Sequence, residues 1–498
     1  MEEAYSYYAG LLSIPTLLYR TGPEWSPPPG PHSHHRRKQL IPAFGGQLER
    51  PWNEGSLGGD VVKVLEENEV YFTSVTVVRF QLMSIYQRRE PPSGWVGGLI
   101  PFTIYIGVVP DSTTPSAAHD AAIGIQTLLQ KCDITDTVNI EFAEFRVRRE
   151  SGPQLLTCSS AFDPLLDVIG PFSPALGLYI HPGTRPDIDG TMAIYLTESG
   201  EGGRLLGLTC RHVVLDPTRP NTDYEYRDGI SKEKAMDALK SLRIQIERDW
   251  GDPMNREPGH VLRSPPVTSG VDDNGYQFTE DWAILELDRA KLRPGFDGNQ
   301  LDLELNLSIS RMEGPPDVGM KLLRIRSDDG WSFGLPHRGL LPLHGVVTDK
   351  LMRAPDLKDC DGNPCLPVYG NGSATGLTLG HANGFFAINR MYKDDSTVAE
   401  GTSREWVIHN YGEDEGPFSR PCAATSGPFS RPGDSGSLVV DVRGRIGGVT
   451  HARGGKLETP DITYATPWWW LLEHVKKNGF SDITVPSPSP FPVNTAAQ

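Results

Sequence analysis

From about residue 160 onward the chain alternates short apolar segments with turn residues, and this pattern restricts the fold more than any other feature. The segments are rich in β-branched and aromatic residues, and Gly, Pro, Asp and Asn separate them. The 53 glycines and 43 prolines of the 498-residue chain suit many turns better than a helical bundle. We therefore expect a mainly β domain over 160–480. The charged, amphipathic segment near 232–250 predicts a helix inserted into it.

A different pattern precedes this region. Residues 56–155 are predicted to form a small α/β domain with the order strand, strand, helix, strand. The helical spacing begins at Ser116, a suitable N-cap residue, and the alternating segment VNIEFAEFRVRRE predicts the last strand. This domain carries no nucleophile, phosphate loop or metal-ligand set in its sequence. We interpret it as a docking or regulatory domain that offers a surface to a protein partner.

Both ends of the chain are predicted to be flexible. Residues 1–55 include the proline-rich stretch TGPEWSPPPGPHSHHRRKQLIPAFG, and residues 481–498 end in PSPSPFPVNTAAQ. Segments of this composition do not easily bury apolar surface.

Charge and cysteine usage exclude several classes of protein. The formal net charge is −16, and an acidic surface repels nucleic acid and anionic membranes. No apolar run has the length of a membrane span, and the first residues are acidic where a secretion signal needs basic ones. Six cysteines make no disulfide framework in a chain of this length. We expect a cytoplasmic protein with free cysteines, without a nucleic-acid partner or a membrane.

The pair Cys360 and Cys365 in CDGNPC has a spacing that suits a disulfide or a metal. No second Cys or His pair with ligand spacing stands nearby in the sequence. We predict neither a metal nor a cofactor.

Three short motifs carry chemistry. LGLTCRHVV places His212 after an apolar strand, EDWAILELD places Asp281 before one, and RPGDSGSLVV places Ser435 in a glycine-rich turn. A serine hydroxyl is a weak nucleophile at neutral pH and needs an imidazole to accept its proton. The imidazole in turn needs a carboxylate that fixes its tautomer. The glycines let the N–H groups of Gly433 and Ser435 converge on one point, where they would bind an oxyanion.

In the order His, Asp, Ser these motifs resemble those of the chymotrypsin/trypsin-like serine proteases, over roughly residues 170–478. GNGSATGLTLG at 370–380 is similar to the hairpin that precedes the nucleophile loop in bacterial and fungal members. The resemblance implies a two-barrel, trypsin-like protease domain that hydrolyses peptide bonds in a protein or peptide substrate. It implies that His212 is the general base, Asp281 the orienting acid and Ser435 the nucleophile.

The chain also departs from that family. His212 and Asp281 lie 69 residues apart (281 − 212), which is longer than usual, and Asp288 remains the alternative acid. No Arg-Ile-Val-Gly-Gly activation site precedes the domain, and GDSGS replaces GDSGGP. These departures indicate an intracellular, non-secreted branch of fungal or bacterial type.

The resemblance implies that residues 427–434 and 449–455 line the specificity pocket, with substrate contacts from Val449, Thr450 and His451. Phe429 stands where trypsin has the aspartate that selects Lys or Arg, so we expect no trypsin-like preference.

Three basic residues lie close to this pocket in the sequence: Arg431, His451 and Arg453. A basic pocket would favour an acidic residue before the cleaved bond. The alternative is that the arginines face solvent.

A second class of function also fits the sequence, namely a catalytically quiet or gated protease-like module that acts in intracellular signalling. GPFSRP occurs twice, at 416–421 and 427–432, and only the second copy leads into GDSGS. The first leads into CAATS, where Cys422 is a rival nucleophile without an oxyanion turn.

Overall fold

The structure is a computed structural model that describes part of the chain. The described residues are 2–23, 25, 37–83, 89–90, 101–149, 176–180, 190–198, 203–215, 221–225, 259–271, 275, 277–287, 298–303, 325–334, 340–359, 362–392, 399–411, 428–455 and 460–486.

Strands outnumber helices in these residues. The helices are α1 (Glu2–Ser6), α2 (Glu49–Asn53), α3 (Leu57–Glu67), α4 (Pro115–Lys131), α5 (Arg211–Val214), α6 (Asp349–Arg353) and α7 (Trp468–Lys477). The strands of the first half are β1 (Leu17–Arg20), β2 (Arg37–Ile41), β3 (Phe72–Met83), β4 (Arg89–Glu90), β5 (Phe102–Val108), β6 (Val138–Glu144), β7 (Arg146–Arg149), β8 (Leu178–Ile180), β9 (Gly190–Met192), β10 (Ile194–Glu198), β11 (Leu205–Thr209), β12 (Tyr224–Glu225), β13 (Gly259–Ser264), β14 (Thr268–Val271), β15 (Gln277–Glu280) and β16 (Ala283–Leu287). The remaining strands are β17 (Gln300–Asp302), β18 (Arg326–Ser327), β19 (Leu340–Pro342), β20 (Leu357–Lys358), β21 (Pro364–Cys365), β22 (Pro367–Gly372), β23 (Gly376–Ala382), β24 (Ala387–Tyr392), β25 (Ala399–Asn410), β26 (Leu438–Asp441), β27 (Ile446–Gly455), β28 (Ile462–Pro467) and β29 (Ile483–Thr484).

The predicted mainly β class is confirmed. A 16-stranded sheet contains the path β1-β6-β5-β3-β24-β25-β23-β22-β26-β27-β28, and a six-stranded sheet has the order β12-β13-β16-β11-β10-β29. One large cluster of buried apolar side chains includes residues of both sheets, such as Leu206 and Val439, and also contains Trp282, Trp406, Trp468 and Trp470. Among the described residues no helix has the length and apolarity needed to cross a membrane.

The predicted order strand, strand, helix, strand is found in β3, β5, α4 and β6. Strands β5 and β6 pair in parallel, and α4 makes the crossover between them. The helix begins earlier than predicted, because Thr114 and not Ser116 is the N-cap and its side chain accepts a hydrogen bond from the Ala117 N–H. Pro115 then takes the first helical position, where its missing N–H costs nothing.

The prediction that 1–55 is a flexible segment is wrong for its described residues. The side chains of Tyr8, Leu11 and Leu17 are buried, and Trp52 of α2 packs under the sheet. The sequence Arg37–Ile41, inside the proline-rich stretch, forms β2 and pairs with β3. These apolar side chains gain enough buried surface from distant strands to order the segment.

The predicted flexible tail over 481–498 also begins too early, because Ile483–Thr484 pairs with β10. The predicted helix near 232–250, Cys360, Cys422 and the alternative acid Asp288 lie outside the described residues.

The N-terminal α/β unit and the rest of the chain share one sheet. β3 pairs with β24 through Val75 and Ile388. Beside this pairing, Asn383 accepts a hydrogen bond from the Ala43 N–H at 2.6 Å and donates one to the Val77 carbonyl at 2.8 Å.

The chain start is also attached to the last strands. The Ser13 N–H donates to one carboxylate oxygen of Asp461 at 2.8 Å, and the Ser13 hydroxyl donates to the other. Burial raises the pKa of Asp461 to about 6, against the lowering effect of these hydrogen bonds. Two hydrogen bonds from Ser13 therefore hold this buried carboxylate.

Strand β7 continues the α/β unit directly onto β27. The pairs run antiparallel from Arg146 opposite Gly455 to Arg149 opposite Ala452. Phe145, just before β7, is fully buried, and a Cβ at Gly454 would lie 2.2 Å from its ring. Only glycine leaves room for that ring at this position.

The Phe145 contact predicts that Gly454→Ala lowers the free energy of unfolding by about 1 to 3 kcal/mol, because an added methyl group overpacks the junction. Urea denaturation measures this change. Gly334→Ala is the matched control, since a Cβ there meets nothing within 4 Å. Equal midpoints for the two variants would contradict the prediction.

Candidate active site

The six-stranded sheet positions two of the three predicted catalytic side chains. His212 lies in α5, directly after β11, and Asp281 lies directly before β16, which pairs with β11. The pairing of Thr209 with Ala283 brings the two side chains together. His212 Nδ1 is hydrogen-bonded to a carboxylate oxygen of Asp281, and the His212 N–H donates to the other oxygen at 3.3 Å. Both residues are buried.

The third predicted residue, Ser435, lies in a tight turn before β26. The turn uses two positive φ angles, +100° at Gly433 and +86° at Gly436, which glycine adopts without strain. A Cβ at Gly436 would lie 2.2 Å from the Thr191 carbonyl oxygen and 3.3 Å from the Cys210 nitrogen. The serine turn is therefore in van der Waals contact with the chain that carries His212.

Hydrogen bonds connect the serine turn to the histidine strand. The Thr191 N–H donates to the Ser435 carbonyl at 2.9 Å, and the Thr209 hydroxyl donates to the Thr191 carbonyl at 2.7 Å. Thr209 is three residues before His212. These bonds fix the serine turn relative to the segment that carries the imidazole, without using the Ser435 hydroxyl.

Asp434 anchors the turn from the other side. Its carboxylate accepts N–H groups of Ala374 at 2.8 Å, Thr375 at 3.1 Å and Arg431 at 2.7 Å. A Cβ at Gly372 would lie 2.1 Å from this carboxylate. The first two donors belong to the turn between β22 and β23, which confirms the predicted hairpin at 370–380.

The buried Asp434 carboxylate is therefore satisfied by three backbone N–H donors of the chain itself.

Thr450 of β27 completes the support of the turn. Its carbonyl accepts the Gly436 N–H at 2.8 Å, and its N–H donates to the Ser437 carbonyl at 2.9 Å. Its hydroxyl lies 2.9 Å from the Asp434 carbonyl and donates to it. The Cys210 thiol also points at the Thr450 carbonyl, at 3.3 Å. Sequence reasoning missed Thr191, Thr209 and Cys210, because short polar side chains in strands carry no motif.

The hydrogen bond between Ser435 and His212 is not formed in this structure. His212 Nε2 is buried and makes no hydrogen bond, and Ser435 is fully buried. Catalytic hydrogen bonds are commonly long before substrate binds, so this geometry leaves both side chains available as candidates. Both side chains are shielded from solvent.

The predicted substrate contacts differ in their surroundings. Phe429 is buried against the bare faces of Gly370 and Gly380, with its N–H bonded to Asn410 Oδ1 at 2.7 Å. Val449 pairs with Leu438 of β26. Thr450 is hydrogen-bonded to Gly436 and Ser437 of the serine turn.

The three basic side chains predicted to lie near the specificity pocket have different surroundings. Arg431 is exposed to solvent, whereas Arg453 is buried. His451 Nε2 is 2.8 Å from the Glu405 carboxylate, which also accepts a hydrogen bond from Ser403 at 2.6 Å. His451 is therefore paired with an acid of the chain itself.

Three side chains of metal-ligating type meet at the site. The ligand atoms of Cys210, His212 and Asp281 all lie within 4.8 Å of one another. Two of these atoms are bonded to each other, and the thiol is directed at Thr450. Hydrogen bonds therefore engage all three side chains of this cluster.

Comparison with solved structures returns serine proteases. A glutamic acid-specific serine protease that uses a histidine triad in substrate binding shares 12% identity with a TM-score of 0.27 over 62% of this chain and 97% of that chain. Protease A of Thermobifida fusca shares 10% identity with a TM-score of 0.26 over 61% and 96%. No protein-family model and no curated protein matches the sequence.

The burial of Asp434 predicts how the free energy of unfolding changes with pH. Burial raises the pKa of this carboxyl from 3.8 to about 6, although the three N–H donors lower it. Between pH 3.8 and about 6, the folded protein therefore keeps a proton on this carboxyl group that the unfolded chain has lost. Its contribution therefore lowers the free energy of unfolding as pH rises, by up to about 3 kcal/mol.

We expect Asp434→Asn to remove this part of the pH dependence between pH 4 and 6. Urea denaturation at several pH values measures it, and Asp120→Asn on the exposed face of α4 is the control. Parallel curves for Asp434→Asn and the wild type would show that the prediction is wrong.

Proposed function

We propose that the chain is a serine endopeptidase in which Ser435 is the nucleophile, His212 the general base and Asp281 the orienting acid. The observation that carries the proposal is the buried bond between the imidazole and the carboxylate, with the serine turn in contact with the same segment. A histidine held through Nδ1 keeps Nε2 for proton transfer, which is the arrangement that serine activation requires.

The proposal includes a two-barrel protease domain with the site between its halves. The six-stranded sheet supplies His212 and Asp281, and the strands β22 to β28 supply the serine turn. Catalytic groups from two halves that meet at a cleft suit a peptide substrate, because the cleft can hold an extended chain.

The mechanism follows from the roles of the side chains. Ser435 Oγ attacks the carbonyl carbon of the substrate while His212 Nε2 takes its proton, and the negative carboxylate of Asp281 stabilises the imidazolium. The N–H groups of Gly433 and Ser435 bind the oxyanion. The proton then passes to the leaving amine, and water hydrolyses the acyl-enzyme and restores the serine.

Labelling with a fluorophosphonate probe tests the nucleophile. Ser435→Ala is expected to abolish labelling, because the attacking oxygen is removed. Ser437→Ala is the matched control: it lies in the same turn and loses only a hydroxyl contact with Thr450 at 2.7 Å. We expect the control to keep its label and to lose about 1 kcal/mol of stability.

A wild-type protein that takes no label would contradict the enzyme proposal and favour the quiet or gated module. Labelling that survives in Ser435→Ala would move the nucleophile elsewhere, with Cys422 as the first residue to examine.

The role of Asp281 is tested separately. Asp281→Asn keeps the shape of the side chain but offers an amide to the imidazole, which favours the wrong tautomer. We expect kcat on a peptide substrate to fall about 10³- to 10⁴-fold, with a smaller change in KM. A loss of less than tenfold would remove Asp281 from the triad. Asp223→Asn, at an exposed site, is the control.

A further inference from the structure

One edge of β27 carries three neighbours in a fixed order. β26 pairs with it near its start, at Val449. The serine turn is bonded to the next residue, Thr450. After one further position, His451, strand β7 pairs with residues 452–455. β28 pairs with β27 over 448–454 and occupies the opposite edge, so the three neighbours lie side by side on one edge.

This edge leads directly to the candidate nucleophile. The Thr450 N–H donates to the Ser437 carbonyl, and the Thr450 carbonyl accepts the Gly436 N–H. The turn that carries Ser435 therefore lies against β27 at this residue. Extended peptides commonly bind to proteins by adding a strand to a sheet edge, with backbone hydrogen bonds for affinity. A peptide that reaches Ser435 along this sheet would pair with 451–455 of β27.

β7 already occupies this place on the edge. Its pairing is antiparallel, and it runs from Arg146 opposite Gly455 to Arg149 opposite Ala452, toward the serine turn. A peptide that adds an antiparallel strand would run in the same direction and would bring its last residues to the turn. The edge of a strand pairs with one neighbour at a time, so β7 and such a peptide exclude each other over 452–455.

The position of β7 is fixed by the residue before it. The Thr73 hydroxyl donates to the Phe145 carbonyl at 2.7 Å, and the Phe145 N–H donates to the Val108 carbonyl at 2.9 Å. The ring of Phe145 fills the space over Gly454. A slip of β7 along β27 would break these contacts, so the register is specified.

We propose that β7 is a built-in competitor of the substrate. It occupies the edge of β27 with which the substrate residues before the cleaved bond would pair, and it leaves this edge before an extended peptide binds there. The inference rests on the proposed endopeptidase function. The bond between His212 and Asp281 and the bonds that hold the serine turn are formed while β7 is in place. β7 therefore controls which substrates reach Ser435 and not the assembly of the catalytic groups.

Competition within one chain predicts discrimination by substrate size. A tethered strand is present at a high effective concentration, which a free peptide has to overcome. The peptide binds only to the fraction of molecules in which β7 has left, so its apparent affinity falls in proportion to that fraction. A fluorophosphonate that needs only the serine and the oxyanion N–H groups does not use this edge. We therefore expect the small reagent to react while β7 is still paired.

The double variant Arg148→Pro with Arg149→Pro tests the proposal. Proline donates no hydrogen bond to a ladder, and of two consecutive N–H groups in a paired strand one points at the partner. We expect kcat/KM on a random octapeptide library, followed by mass spectrometry, to rise at least about tenfold, mainly through KM, because more molecules have the edge open. The rate of fluorophosphonate labelling is expected to stay that of the wild type.

The matched control is the double variant Arg89→Pro with Glu90→Pro. These residues form β4, which pairs with β3 and not with β27. We expect both rates of the control to equal those of the wild type. A rise in peptide hydrolysis in the control as large as that in the β7 variant would overturn the proposal, because the effect would then not depend on β7.

Thr73→Val is a milder second variant, which decides the question if the double proline variant does not fold. It keeps the shape of the side chain but removes the hydroxyl that holds the Phe145 carbonyl. We expect peptide kcat/KM to rise about fivefold, the equivalent of one hydrogen bond, with unchanged labelling. Thr127→Val is its control, because that hydroxyl donates to the Ile123 carbonyl at 2.9 Å within α4.

Labelling separates the two levels of the proposal. If the wild type takes the label and the loosened variants cleave peptides no faster, competition by β7 is overturned and the endopeptidase stands. If labelling rises by the same factor as peptide hydrolysis, β7 acts on the catalytic groups and is no competitor. A wild type without label, or labelling without peptide hydrolysis in any variant, would contradict both proposals.

Discussion

Strand β27 is the element on which the rest of the structure depends. Its first half joins β26 and β28, its middle holds the serine turn through Thr450, and its second half receives β7. A strand with partners on both edges along its length cannot shift without breaking several ladders at once. The positions of the serine turn and of the N-terminal unit are therefore set by the same strand.

Rigidity in the candidate site comes from backbone and hydroxyl groups more than from charge. Asp434 is satisfied by N–H donors from two loops, and Thr191 and Thr450 connect the serine turn to the strands on either side. Such a network is costly to disturb, because every donor removed leaves a buried acceptor unpaired. Against this background stands His212 Nε2, which is buried and has no hydrogen bond among the described residues.

Much of the site could be predicted from sequence because its geometry is local. The glycines of GDSGS demand a tight turn, the repeated glycines of 370–380 demand a hairpin, and the apolar strands beside His212 and Asp281 place each residue at a strand end. The contact of His212 with Asp281 joins residues 69 positions apart, and only the order of the motifs pointed to it.

The start of the chain was mispredicted because its order depends on contacts with distant strands. Tyr8, Leu11 and Leu17 are few apolar residues in a polar context, and they are buried against strands that lie far along the sequence. A window of sequence shows the composition of a segment but not the surface that receives it. In the same way β7 could be recognised as a strand, whereas its pairing with β27, about 300 residues later, leaves no local signal.

The shared sheet has a consequence for making one part of this chain without the other. β24 pairs with β25 on one edge and with β3 of the N-terminal unit on the other. If the second unit were made alone, the edge of β24 would expose unpaired N–H and C=O groups. Such an edge is a template for aggregation. The N-terminal unit therefore covers a strand edge that the rest of the chain would expose if it were made alone.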